Sequence, residues 1–155
     1  MEEPDFKKEN LEKRLGVVVI KPEALQRKNQ IVDFLRGHGL SVVSYREVKL
    51  PERFISEVMY PDLSSKFEEA TMKHYEEGPS GILILQGGED VLQKIISLTG
   101  ENLKPNENKE GTLRHMFGEH FGRKVAGDAE YFRNAVHRPK TKEELKKFLE
   151  EVRHL

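Results

Sequence analysis

The 155-residue chain contains no cysteine. That removes structural disulfides, thiolate metal sites and cysteine nucleophiles together. Long apolar runs are missing as well, and residues 1–14 are charged. Neither a signal peptide nor a membrane span is therefore expected, and a cytoplasmic location follows as the default. Charge of one sign is not in excess, since 26 basic against 27 acidic residues give a formal net charge of −1. A general nucleic-acid or membrane-surface binder is thus not expected, and any basic site has to be local. No Gly-x-x-x-x-Gly-Lys-Ser/Thr stretch occurs, so Gly87-Gly88 ahead of a helix reads as a plain turn. There is no internal repeat.

What is present divides into a charged N-terminal extension, residues 1–14, and one domain of ordinary size, residues 15–155, large enough for a core without staples. Residues 15–20 form a continuous, valine-rich apolar run, the mark of a strand buried on both faces. After Lys21-Pro22, Leu25, Val32 and Leu35 recur at helical spacing up to Gly37-His38-Gly39. Residues 40–50 read as a second strand. Pro51 opens a short helix carrying Phe54, Ile55, Val58 and Met59, which Tyr60-Pro61 breaks. Ser65 with Glu68 has the form of a capping box for a helix with Phe67, Ala70, Thr71 and His74 on one stripe. Residues 81–85 are a third doubly buried strand, followed by a helix over about residues 89–99.

Residues 100–111 are polar, and such a long loop is expected to be functional or mobile. A short helix over 112–121, a charged connection over 122–130, a strand over 131–136 and a last helix over 141–153, N-capped by Thr141, complete the chain. Strands and helices in this order make a split βαβ arrangement. The expected fold is α+β, ferredoxin-like, a four-stranded antiparallel sheet covered by helices. It names no function by itself.

Function is argued from polar groups at strand ends and loops. His137 falls at the exit of the last strand, before Pro139 stops the ladder. An apolar stem behind it and Arg138 and Lys140 ahead favour a neutral imidazole with a nucleophilic ring nitrogen. Lys21 ends the first strand, and split βαβ sheets bring those two strand ends near one another. Arg114, after the Gly111-Thr112 turn, adds a planar fork suited to phosphate oxygens. Phe67 could stack on a base, although an amphipathic helix more often uses phenylalanine as core.

Taken together these residues resemble the nucleoside diphosphate kinases. Ile20-Lys21-Pro22-Glu23 is similar to that family's first-strand signature. Tyr60, Phe67 and Gly78-Pro79 are similar to its base-side residues, Gly111-Thr112-Leu113-Arg114 to its glycine-threonine-isoleucine-arginine turn, and Asn134-Ala135-Val136-His137 to its active-site asparagine and phosphorylated histidine. The resemblance runs from about Leu15 to His137, in matching order. It implies that His137 accepts the γ-phosphoryl group of a nucleoside triphosphate and passes it to a diphosphate. It also implies that Lys21, Tyr60, Arg114 and Asn134 hold the phosphates and sugar, that Phe67 stacks on the base, and that nucleotide-bound Mg2+ bridges phosphate oxygens. A homo-oligomer built from dimers is implied too.

Several positions depart from the family's pattern. Its arginine four residues before the glycine matched to Gly100 is Ile96 here, and its following threonine falls on Asn102. Lys94, Lys104, Lys109, Arg133 and Arg138 are the candidate replacements for that cation. Arg138-Pro139-Lys140 stands where the family has a small residue, serine and aspartate. The glutamate that orients the histidine ring has Glu144 as its candidate. Roughly ten extra residues separate Arg114 from His137, in a region where loops tolerate insertion. These departures leave open a nucleotide-binding, catalytically weak relative acting as a regulator or scaffold. Among other readings, His115, Glu119 and His120 match neither zinc-protease spacing. A nucleic-acid module using the basic turn after His137 is disfavoured by the overall charge.

Overall fold

The computed structural model describes residues 14–125, 127 and 129–155. The expected charged extension lies, but for Arg14, outside the described residues. The main sheet contains β1 (Leu15–Ile20), β2 (Ser41–Val48), β3 (Ser80–Gln86) and β6 (Val136–His137), in the order β2-β3-β1-β6 with every pair antiparallel. This is the ferredoxin-like α+β arrangement expected from the order of elements.

The valine-rich run is central because both of its faces are apolar. Val18 and Ile20 join a cluster with Ile31, Leu35, Leu83, Leu85, Val91 and Ile95. Val17 and Val19 join the opposite cluster, with Phe54, Ile55, Met59, Tyr75, Leu145 and Phe148. Period-two alternation thus divides one strand between two cores. On the first face lie α1 (Lys28–Gly37), reached through a 3-10 turn at Pro22–Arg27, and α4 (Val91–Thr99). The helix packs so close to the sheet that a Cβ at Gly16 would stand 2.2 Å from Ile95 Cδ1. On the second face lie α2 (Glu52–Phe54), its π-helical continuation Ile55–Met59, α3 (Ser65–Glu76) and α6 (Lys142–Glu151). Thr141 caps α6 as expected, its hydroxyl accepting from the Glu144 N–H at 3.1 Å.

The structure corrects several sequence expectations. α3 is preceded by Ser64 as N-cap with no side-chain cap bond, so the Ser65/Glu68 capping box does not form. The short helix is α5 (Leu113–Phe117), and it stops at Gly118. Residues 100–111 are built around a 3-10 turn at Pro105–Glu107 and the buried Asn108 side chain. That amide donates to Asn102 O and Lys104 O and accepts from Asn102 N–H, closing the loop on itself.

The expected strand over 131–136 is the largest correction. Glu130–Tyr131 (β5) pairs with Arg123–Lys124 (β4) in a separate hairpin, and only Val136–His137 joins the main sheet. The ladder is broken between them by Ala135, whose φ is +70°. The Val136 N–H donates to Asn134 O at 2.8 Å, closing a tight three-residue turn. Lys21 N–H donates to Ala135 O at 2.8 Å, and the Ala135 N–H donates to the Glu23 carboxylate at 3.3 Å. Alanine tolerates this backbone poorly and a β-branched residue hardly at all. Replacing the fully buried Ala135 by valine should therefore cost about 2–4 kcal/mol, from left-handed strain plus overpacking. Glycine there should cost less than about 1 kcal/mol. Urea denaturation of both variants checks this, and a valine variant of wild-type stability would show that the turn relaxes.

Candidate active site

Two strand registers place the site. Lys21 continues the Val17–Val19 parity of β1, and His137 lies opposite Val19 in β6, so both side chains leave the sheet on the same face. That face is covered by the Ile55–Met59 turn and α3, with Tyr60 following the turn directly. A cavity of about 310 Å³ opens there. Lys21, Tyr60, Phe67, Arg114, Asn134, His137 and Glu144 all line it. Every site residue expected from the sequence therefore meets at one place.

The floor of this cavity is cationic. Lys21, Arg114 and Arg138 are 3–4% exposed and His137 is 5% exposed. The carboxylates in the wall are peripheral, Asp62 and Glu130 being exposed and Glu144 half-buried. Arg114, on α5, spends its guanidinium on backbone: Nε and Nη2 donate to Val136 O at 3.4 and 3.3 Å, and Nη1 donates to Gly100 O and Asn102 O at 3.2 and 3.3 Å. Burial, and then the neighbouring Arg138 charge, lower its pKa to about 10, which leaves it charged at neutral pH. The carbonyl of Gly100 is available to it because glycine adopts φ +102° there, and a Cβ would lie 2.4 Å from Asn108 Oδ1.

His137 stands in β6 rather than beyond its end. Its pKa is held well below the usual histidine range, by burial first and then by the charges of Lys21, Arg114, Arg138 and Lys140. The ring is consequently neutral at physiological pH. Its clearest packing partner is Tyr60, with ring centroids 4.4 Å apart and planes at 47°. The Tyr60 hydroxyl shares a 2.8 Å hydrogen bond with the Tyr75 hydroxyl, and the Lys21 ammonium lies 5.9 and 5.7 Å from those two ring centroids. Tyr75 stays protonated because burial, and then Tyr60, raise its pKa well above normal.

Glu144 is not joined to His137 by a hydrogen bond. Its carboxylate instead accepts from the Thr141 hydroxyl at 3.3 Å. Asn134 Nδ2 donates to Leu103 O at 3.1 Å, whereas the buried Oδ1 has no partner among the described residues. Phe67, Leu103 and Phe132 give the cavity an apolar side.

Behind the site lies a network of which the sequence places His74 on a helical stripe and Glu23 in the first-strand signature, but gives Tyr131 no role. His74 Nε2 and Glu23 Oε1 are 2.6 Å apart, and His74 Nδ1 and the Tyr131 hydroxyl are 2.7 Å apart. Burial, only partly opposed by the bond to Glu23, lowers the His74 pKa. Burial alone would raise the Glu23 carboxyl, but the hydrogen bond from His74 and the charge of Lys21 bring it below normal. A neutral imidazole donating to Glu23 and accepting from Tyr131 satisfies all three groups. Glu23 then holds the Ala135 N–H, and so the turn that delivers Val136 and His137. No single-residue signal in the sequence marks Tyr131 or Tyr75, since the contacts that involve them span 57 and 15 residues.

Fold and site together define a class: a ferredoxin-like α+β domain whose sheet edge opens into an anion-attracting cavity with a neutral histidine in its floor. The family model for nucleoside diphosphate kinase matches residues 15–152, and the chain belongs to that family. It is 33% identical over 100 residues to the nucleoside diphosphate kinase of Saccharolobus islandicus, covering 63% of this chain and 70% of the relative. It is 26% identical over 130 residues to the thioredoxin domain-containing protein 3 homolog of Ciona intestinalis, a match that covers 82% of this chain but only 18% of that protein. Its fold superposes with a TM-score of 0.69 and 16% identity on the Borrelia burgdorferi nucleoside-diphosphate kinase, a transition-state mimic with bound vanadate and ADP, covering 86% and 83% of the two chains. Among the described residues, no helix is long and apolar enough to cross a membrane.

Proposed function

We propose that this domain transfers the γ-phosphoryl group of a nucleoside triphosphate to a nucleoside diphosphate through a phosphohistidine at His137. The observation that carries this reading is a neutral, buried imidazole at the floor of a cavity, flanked by buried cations that form no ion pair among the described residues. Phosphoryl transfer through a loose transition state needs alignment and positive charge more than covalent help. A lone pair on a ring nitrogen of His137 attacks the γ-phosphorus, the bond from that phosphorus to the β–γ bridging oxygen breaks, and the nucleoside diphosphate leaves with the bond electrons. The second diphosphate then attacks the phosphohistidine with a terminal oxygen, and the nitrogen–phosphorus bond returns its electrons to the ring.

Lys21 and Arg114 stabilise charge on the transferring group, and Tyr60 fixes the ring plane. The unpartnered Asn134 Oδ1 is suited to a sugar hydroxyl, and Phe67 offers a face for the base. Stacking is indifferent to base identity, so broad nucleotide use is expected. Magnesium would arrive with the nucleotide, as the family resemblance implies. Bound to phosphate oxygens, it would offset their negative charge.

The test is a two-step transfer. Incubated with terminally labelled ATP and magnesium, the protein should acquire acid-labile, base-stable label, which added unlabelled GDP then removes as labelled GTP. A protein that binds ATP but never becomes labelled would instead be the catalytically weak relative, a regulator or scaffold, to which Ile96 in place of the family's arginine points.

A further inference from the structure

Two guanidiniums converge on one carbonyl oxygen. Arg138 Nη2 donates to Gly100 O at 3.0 Å, beside the 3.2 Å bond from Arg114 Nη1 to the same atom. Arg138 Nε donates to Thr99 Oγ1 at 3.1 Å, and the Thr99 hydroxyl in turn donates to Ile95 O at 2.8 Å. The backbone behind Arg138 is rigid, since His137 is paired in β6 and Pro139 restricts the residue before it to extended conformations. Among the described residues Nη1 of Arg138 has no hydrogen-bond partner, and its guanidinium forms no ion pair, although the residue is only 4% exposed.

An isolated buried cation beside a second one is unfavourable unless an anion completes the pair. The opposing charges of Glu101 and Glu144 only partly offset the burial that lowers its pKa. Both guanidiniums, with Lys21 and His137, face one cavity. Ile96, four residues before Gly100, is itself nearly buried and belongs to neither main apolar cluster. That position therefore contributes no cation.

We propose that Arg138 is a phosphate-binding residue of this cavity, gripping with Arg114 the distal phosphate of a nucleoside di- or triphosphate and supplying the guanidinium that position 96 lacks. This rests on the nucleotide reading above. The competing role is a strut, in which Arg138 merely ties β6 to the Thr99–Gly100 turn.

Calorimetric titration separates the two. In R138A the dissociation constant for ADP should rise at least about tenfold while that for AMP, which lacks the distal phosphate, moves less than about threefold. In R138K, which keeps the charge but loses the fork, ADP affinity should fall to an intermediate value. Equal losses for ADP and AMP, or a lowered melting temperature with unchanged ADP affinity, would overturn the assignment. Should R138A not fold, R138K decides alone, and unchanged ADP affinity there would overturn it. An unlabelled wild type in the ATP assay would sink the transfer reaction but leave this comparison readable, because binding ADP requires no transfer. A labelled wild type with an R138A of undiminished ADP affinity would sink only the role of Arg138.

Discussion

His137→Ala is expected to abolish the acid-labile label completely and to lower nucleoside diphosphate kinase turnover by at least about 10³-fold, as removal of a nucleophile does. The protein should still bind ADP, because the cations of the floor remain. The same imidazole sets the pH behaviour. Burial and four nearby positive charges hold its folded-state pKa below the usual value. Labelling at low nucleotide concentration should therefore persist as pH falls below about 6.5, where an ordinary histidine would be protonated. A bound triphosphate partly cancels the charges of Lys21, Arg114 and Arg138, so the ring in the complex gains protons more readily. The acid limb of kcat should consequently lie at higher pH than that of kcat/KM.

Stability carries the matching sign. The unfolded chain binds a proton at histidine near pH 6.5 and the folded site resists it, so stability is full above that pH and falls as pH drops toward the folded pKa. His137→Ala should remove part of that slope between pH 7.5 and 5 in urea denaturation. His74, also lowered, contributes a slope of the same sign. Label that survives in His137→Ala would place the nucleophile on another side chain.

Arg114→Ala is the second large effect, and it should strike stability and activity together. The guanidinium satisfies Gly100 O, Asn102 O and Val136 O, joining the 100–111 loop to the strand that holds His137. Val136 O loses its side-chain donors, while Gly100 O and Asn102 O each keep one, from Arg138 and Asn108, so the lost bonds should cost on the order of 2 kcal/mol. Loss of a positioned cation at the phosphates should lower kcat/KM by about 10²–10³-fold. Arg114→Lys should recover some activity but little stability, because an ammonium cannot reach carbonyls on both segments at once. Denaturation midpoints and steady-state kinetics of the two variants check this. An Arg114→Ala protein as stable as wild type would show that the guanidinium is not the tie between loop and strand.

Much of the fold was legible because its signals are local and periodic. The run Gly16-Val17-Val18-Val19-Ile20 announces a central strand, since only burial on both faces tolerates it. Thr141 ahead of Lys142-Glu143-Glu144 announces a cap through one short-range bond, and that bond forms. The strand over 131–136 was misread for the complementary reason. Phe132 and Val136 have strand composition, but Ala135 is held at positive φ by Lys21 and Glu23, more than a hundred residues away in sequence. The polar stretch 100–111 reads as functional or mobile, and composition does not show that one asparagine side chain folds it inward.

The site divides in the same way. Residue type and place in the pattern were enough to nominate Lys21, Phe67, Arg114 and His137, because each chemistry has few side chains able to supply it, whereas Tyr60 and Asn134 were nominated by the family resemblance. Glu144 was nominated by position alone, and its carboxylate turned instead toward the nearer hydroxyl of Thr141. Arg138 was only one of five candidate cations in the sequence. Its convergence with Arg114 on Gly100 O exists only in three dimensions.

By itself the amino-acid sequence determined the sheet's apolar centre, most of the order of strands and helices, and the candidates for the reactive groups, since hydrophobic period and side-chain chemistry are properties of neighbouring residues. Only the tertiary structure decided that Lys21 and His137 share a face, that burial among cations keeps the imidazole neutral, and which arginine stands beside Arg114. Those outcomes depend on strand register and on electrostatic fields summed over segments far apart in the chain, and neither is encoded within any one segment.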